Sequence, residues 1–280
     1  MILMTPTMTM NKKSLKEEQD RYEAAAAVQL KAKVPVFIRI EGKSFGSFTQ
    51  HLQKPYDPVV TRTMQQTAKQ LCAEANGSVF AYTASNVITL ILTDYHKWNS
   101  VPWLDYDAMR MCSAAASIAT IAFNRAFAAN IEWFAQNYQG SDKDDLNAAY
   151  RDASQYGARF EAVCYNVPED RVCAMIFHQQ YQWRRNSILA LANHHFTRRE
   201  VLGKTLDELH EMLAEKHISW YDLPTEYRHG SCCTKGIKPF GRKKKWRIDL
   251  EMPLLTDGAE IYLQQIMDSV REDDDYSEEY

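Results

Sequence analysis

The sequence predicts an α/β protein of the α+β kind: a ferredoxin-like set of strands followed by a helical second half. Three observations point there. The β-branched run Val34-Pro-Val-Phe-Ile-Arg-Ile40 has the length and composition of a buried strand. Two more strand-like runs, Ser78 to Thr83 and Val87 to Leu92, are split only by Ala84-Ser85-Asn86, as in a hairpin. Helix-forming stretches separate the first strand from this hairpin and the hairpin from a fourth strand, Phe160 to Asn166.

The first element is a charged helix, Ser14 to Leu30, with an Ala run near its end. After the first strand, Asp57 is placed to cap a helix running to about Asn76, and Asn76-Gly77 turns the chain into the hairpin. Tyr106 to about Phe134 forms a long Ala-rich helix whose small residues, Ser113 to Ala119, suit close packing on a sheet. Gln139 to Asp145 is a polar break before the fourth strand. The order strand, helix, strand, strand, helix, strand is that of a split βαβ unit, an antiparallel sheet with two helices on one face. Beyond it the chain reads as mainly helical: Glu169 to about Asn193, then Thr205 to Lys216, where Thr205 and Glu208 form a capping box. Pro224 to Gly230 is a short turn or helix. These readings divide the chain into an N-terminal arm and helix (1–33), a core (34–168), a helical region packed on it (169–270) and an acidic, frayed tail (271–280).

At 280 residues, 45% hydrophobic and 25% charged, the chain has the makings of a substantial core. A formal net charge of −3 excludes a generally basic nucleic-acid binder, so any RNA contact must come from a local patch. One candidate exists. Between Lys235 and Arg247 basic residues interleave with Phe240 and Trp246, and Arg242, Lys243, Lys244 and Lys245 suit an RNA backbone or, equally, a solvated hairpin loop. Six cysteines follow no disulfide framework, and the only close pair, Cys232-Cys233, is adjacent, so reduced thiols in a cytoplasmic setting are expected. No apolar run approaches the roughly 20 residues of a membrane span. Met1 to Met10 carries no basic residue ahead of its apolar letters, so neither a membrane partner nor a signal peptide is expected. His194, His195, His217 and His229 lack metal-ligand spacing with any cysteine pair, so zinc is not expected.

Chemistry concentrates after the first strand. Gly42-Lys43-Ser44 has the end of a P-loop, but that motif needs a Gly where Phe37 stands. What remains is an acid at the strand's end, Glu41, then a Gly whose backbone can approach a ligand and a Lys able to reach phosphate.

Seven ordered landmarks then carry a resemblance. They are Arg39-Ile-Glu-Gly-Lys-Ser-Phe-Gly-Ser-Phe-Thr49, Lys54-Pro-Tyr-Asp57, Tyr82-Thr-Ala-Ser-Asn-Val87, the run Ala114 to Thr120 with Phe123-Asn124, Tyr165-Asn-Val-Pro168, Arg185-Asn-Ser-Ile188, and Leu223 to Gly230. In this order the chain resembles the tRNA-histidine guanylyltransferase family, in its bacterial and bacteriophage branch. The resemblance implies a polymerase-type palm on the same ferredoxin-like sheet and a homotetramer or dimer. It also implies a site where two magnesium ions, held by aspartates on adjacent strands, activate a hydroxyl and neutralise a triphosphate.

The departures fall on the metal positions. The family's first strand ends in Asp-Gly and its hairpin carries Ser-Asp-Glu, whereas here stand Glu41-Gly42 and Ser85-Asn86-Val87. Asn86 removes a full charge and Val87 an oxygen, which leaves Glu41 as the sole candidate metal ligand and Asn86 as a degenerate one. Phe160-Glu-Ala-Val-Cys-Tyr165 keeps only the acid of a family run, and His178 to Gln182 keeps only Gln180. The resemblance assigns nucleotide contacts to Gly42, Lys43, Ser44, Phe45, Ser85, Arg185 and Asn186. A protein that binds a purine nucleotide or a tRNA 5′ end, with nucleotidyl transfer weakened or lost, is the leading expectation. Two alternatives stay open: active 5′ addition to tRNA with magnesium as cofactor, or an inactive nucleotide-binding module that sequesters a nucleotide signal or regulates a paralogue.

Overall fold

A computed structural model describes residues 12–93, 101–235, 245–255 and 261–266. Elements in chain order are α1 (Lys12–Ala26), β1 (Val36–Lys43), α2 (Phe45–Phe48), α3 (Pro58–Glu74), β2 (Ser78–Ala84), β3 (Val87–Leu92), α4 (Ala108–Asn137), α5 (Lys143–Tyr156), β4 (Arg159–Asn166), α6 (Val172–His195), α7 (Arg198–Val201), α8 (Leu206–Glu215), α9 (Thr225–His229), β5 (Ser231–Lys235) and β6 (Trp246–Asp249). The strands form one six-stranded sheet in the order β4-β1-β3-β2-β5-β6, and every pairing is antiparallel. No helix among the described residues is long and apolar enough to cross a membrane.

Alternation along the strands builds two cores. Val36, Ile38 and Ile40 of β1 and Ile88, Leu90 and Leu92 of β3 face α3 and α4. There Phe123 and Phe127 of α4 join Phe45 and Phe48 in a cluster of buried rings with centroids 5.1 to 5.6 Å apart. Phe37, Phe80, Tyr82 and Ile91 face the other way, onto Val172 and Ile176 of α6 and onto Met252, Leu255 and Leu263. A third cluster, around the fully buried Trp220, joins the C-terminal half of α6 to α7 and α8.

The structure corrects several sequence readings. β1 runs on through Glu41 to Lys43, so Glu41 lies inside the strand, paired on both sides, and not at its end. α1 stops at Ala26, because the next residues pair elsewhere: the Leu30 N–H donates to the Tyr106 carbonyl at 2.9 Å, and the Ala108 N–H to the Val28 carbonyl. α4 accordingly begins at Ala108, capped by Asp107. The polar break before β4 conceals a whole helix, α5, whose buried Leu146, Tyr150 and Ala153 recur at spacings of four and three. The C-terminal half is not only helical, since β5 and β6 extend the sheet beyond β2. The Lys235 to Arg247 run connects these two strands. Arg242, Lys243 and Lys244, like the acidic tail 271–280, lie outside the described residues.

Asp57 shows how a polar residue can hold this core. Its Oδ1 accepts from the Val60 N–H at 2.8 Å and caps α3, while Oδ2 accepts from the Gln53 N–H at 3.0 Å and the buried Tyr150 hydroxyl at 2.7 Å. The carboxylate therefore ties α3, the loop before it and α5 together. Asp57→Ala removes the cap and strands a buried hydroxyl, so urea denaturation should show a loss of about 3 kcal/mol. A loss under about 1 kcal/mol would mean that α5 docks without this contact.

Candidate functional site

Where β1 leaves the sheet, its geometry is set by packing. A Cβ at Gly42 would overlap the ring of Phe45, and Ser44 between them takes the left-handed conformation, φ 53°. Phe45 is thereby driven into the aromatic cluster. The β2–β3 turn closes onto the same point. Ser85 at its tip is also left-handed, φ 54°; the Gly42 N–H donates to the Asn86 carbonyl at 2.9 Å, and the Asn86 Nδ2 donates back to the Gly42 carbonyl at 3.2 Å. Asn86 thus latches the hairpin to β1. An aspartate in the same place would set a carboxylate against a carbonyl oxygen.

Above this latch a cleft lies between the sheet and α6, with two adjoining chambers. The larger, a cavity of 430 Å³, is bounded by Arg39, Glu41, Asn86 and Val87 on the sheet side and by Gln182 and Asn186 on α6. The smaller, of 160 Å³, is walled by Phe45, Tyr56, Met64 and Tyr227, with Lys54, Asp57, Gln65, Thr83 and Glu226 among its polar residues. Ala84, Ser85 and Trp183 border both. Tyr56 and Tyr227 stack at 4.8 Å with their planes 13° apart, and burial pushes both phenols up to about 12, so they remain neutral donors at physiological pH. The Tyr56 hydroxyl is anchored to Ser187 on α6, donating to its carbonyl at 2.7 Å. Gln65 donates to Glu226 at 2.7 Å and to the Ser231 hydroxyl at 2.9 Å, which joins α3, α9 and β5 around the smaller chamber.

The sequence-predicted residues divide. Glu41, Ser85, Asn86 and Asn186 meet in the larger chamber, and Phe45 and Ser85 border the smaller. Gly42, Lys43 and Ser44 flank the cleft without lining either chamber. Lys43 pairs with Glu161 at 3.5 Å, and both side chains are more than half exposed, a contact of little energetic weight. Arg185 is exposed and off the lining face of α6, which comprises Met175, His178, Gln179, Gln182, Trp183 and Asn186. Their recurrence at steps of three and four was readable as one helical face, and it is the signal by which Trp183 could have been found. Gln180 is fully buried and has a structural task, donating to the His229 and Pro253 carbonyls and accepting from the Leu255 N–H.

The residues present do not fit a two-magnesium centre. The Glu41 carboxylate is held by the Arg39 guanidinium at 2.6 Å, the Asn86 amide is spent on Gly42, and Val87 offers no donor. Among the described residues no three His, Cys, Asp or Glu side chains converge on one point.

A separate groove of 730 Å³ runs between α3 and β6, bordered by Lys69, Lys245, Trp246 and Arg247 and, among the described residues, by no acidic side chain. Lys235 stands 5.1 Å over the Trp246 ring beside it.

Comparison with known proteins bears on this architecture. The structure of a bacterial tRNA(His) guanylyltransferase-like protein in complex with ATP superposes with a TM-score of 0.75 at 24% identity, covering 90% of this chain and 98% of that one. The GTP complex of a bacterial protein of the same description gives 0.68 at 24%, with the same coverage. The tRNA(His) guanylyltransferase of Saccharomyces cerevisiae gives 0.59 at 17%, over 76% of this chain and 91% of that one. An uncharacterized protein of Acanthamoeba polyphaga mimivirus is 20% identical over 234 residues, 79% of this chain and 77% of its own length. The model of the tRNAHis guanylyltransferase family matches residues 16–168, more than half of the sequence. With that match running from α1 through β4, the chain belongs to the tRNAHis guanylyltransferase family.

Proposed function

We propose that the chain is a tRNA-histidine guanylyltransferase-like protein that binds a purine nucleotide, or a tRNA 5′ end, in the cleft and has weakened or lost nucleotidyl transfer. The observation that carries this reading is the Asn86 latch: where transfer would need a second carboxylate, the side chain donates to the Gly42 carbonyl. The sheet from β4 to β2, with α3 and α4 on one face, serves in this reading as a ferredoxin-like, polymerase-type palm within residues 34–168. The ATP and GTP complexes of the bacterial neighbours support a purine as ligand. The smaller chamber, with its stacked tyrosines and Phe45, has the flat, apolar walls that a base requires. Ser85 and Asn186 then face the sugar and phosphates from the chamber it adjoins, with Lys43 and Ser44 reaching in from its flank and Arg185 from the outer face of α6.

Magnesium, the metal of an active member, has no donor set here, so nucleotide affinity should rest on Lys43, Ser44 and backbone amides instead. Calorimetry with GTP and with ATP should give nearly equal dissociation constants in EDTA and in magnesium. Binding that appears only with magnesium would restore the catalytic reading.

Asn86→Asp separates the latch from the lost ligand. In EDTA the variant should be less stable than the parent by about 1 kcal/mol, since an attractive N–H···O contact becomes a repulsive one. Chemical denaturation with and without magnesium measures this. Unchanged stability in EDTA would show that Asn86 holds nothing in place.

Arg242, Lys243, Lys244 and Lys245 are the RNA contact in this proposal, and of these Lys245 borders the groove together with Lys69 and Arg247. Replacing the four with Ala should reduce the salt dependence of RNA binding by up to about three units of log–log slope, while that of a mononucleotide stays the same. An unchanged slope places the RNA elsewhere. A dimer or tetramer is proposed for the assembly, and light scattering that reports a monomer would remove that part alone.

A further inference from the structure

Cys112 and Cys164 lie on the α4 side of the sheet, the face away from the larger chamber. Cys112 is in the second turn of α4 and Cys164 is on β4. Their Sγ atoms are 3.4 Å apart, with the Cys112 thiol donating to Cys164 and the Cys164 thiol donating in turn to the Ala108 carbonyl at 3.3 Å. Both are half-buried, unlike Cys72, Cys232 and Cys233, which are almost fully enclosed. Residues 112 and 164 belong to elements packed closely along their length, and β4 is the edge strand beside β1. Two thiols already in contact need only a small closing movement to bond.

We propose that Cys112 and Cys164 form an oxidation site, a reversible disulfide staple between α4 and the edge strand β4, made by a peroxide oxidant and opened by a thiol reductant. Burial pushes the Cys164 thiol up to about 12, so it stays protonated near neutrality and the first attack falls to Cys112. The Cys112 sulfur attacks the O–O bond of hydrogen peroxide, giving a sulfenic acid and one water. Cys164 then attacks that sulfur, its proton leaves with the displaced hydroxide as a second water, and the S–S bond forms. The two sulfurs together lose two electrons, and the peroxide gains them.

The staple acts on stability and leaves the cleft alone. Along β4, Phe160, Ala162 and Cys164 face α4, while Glu161, which stands opposite Glu41, points to the cleft side. A bond from 112 to 164 closes a loop containing most of α4, all of α5 and the start of β4, which restricts the unfolded chain. For a chain of this size the thermal midpoint should rise by roughly 5 °C.

The test treats the full-length protein with hydrogen peroxide, blocks remaining thiols, and digests with trypsin without reduction. Cleavage after arginine places the cysteines in separate single-cysteine peptides, Met111–Arg125 and Phe160–Arg171. The expected result is these two peptides joined, their separation by dithiothreitol, and a raised midpoint that Cys112→Ser and Cys164→Ser both fail to gain. The proposal is overturned if both cysteines stay open to alkylation under peroxide, or if either joins a different cysteine. It is also overturned if the linked protein melts no higher than the reduced one. Peptide mapping of the unmutated protein decides the first two outcomes even if a serine variant does not fold.

Discussion

The close approach of Phe45 to Gly42 is the constraint on which the cleft depends. With no side chain at 42 the Phe45 ring can turn back under the end of β1, and Ser44 accepts a left-handed backbone to let it do so. The ring then joins Phe48, Phe123 and Phe160, and this aromatic cluster fixes α2 and α4 against the sheet. Because the backbone of Gly42 is held there, it can exchange two hydrogen bonds with Asn86, and the hairpin tip is brought over β1. Ser85, Asn86 and Val87 take their place beside Glu41 at the floor of the larger chamber from that pairing.

The same arrangement accounts for what the cleft retains and what it lacks. Its walls are hydrophobic packing and long polar brackets: Tyr56 on Tyr227 and Ser187, Gln65 between Glu226 and Ser231, Gln180 across the C-terminal segment. None of these needs a cation. The side chains at the proposed metal positions are satisfied inside the protein, Glu41 by Arg39 and Asn86 by Gly42. Two metal-facing carboxylates would repel each other and depend on bound cations to be stable, whereas this floor balances its own charges. Keeping the pocket and closing the metal site are therefore compatible in one fold.

Much of this was legible in the sequence, for identifiable reasons. The first three strands, the Asp57 cap and the capping box of Thr205 with Glu208 follow from short-range patterns, and the structure places them within a few residues. The order of landmarks led to the family and to the substituted positions. α5 was not read because its apolar residues are few, Leu146, Tyr150 and Ala153, in an otherwise polar stretch. β5 and β6 were missed because Ser231 to Lys235 is short and its strand character comes from pairing with β2, a long-range contact. Glu41 was placed at a strand end, although β4 pairs with β1 as far as Lys43. In the cleft, the Tyr56–Tyr227 stack escaped notice since its two rings lie far apart in sequence, whereas Trp183 was within reach of the helical periodicity of α6. The role of Asn86 as a donor to Gly42 is a fact of geometry that residue identity alone does not carry.

The central claim is that the pocket has been kept while the transfer chemistry has not. It is tested most directly by incubating the protein with GTP, ATP, magnesium and a 5′-processed tRNA and following nucleotide addition at the 5′ end. With the metal ligands displaced or internally paired, addition should be absent or at least about a hundredfold slower than in an ordinary member of the family. Addition at a comparable rate would contradict the account.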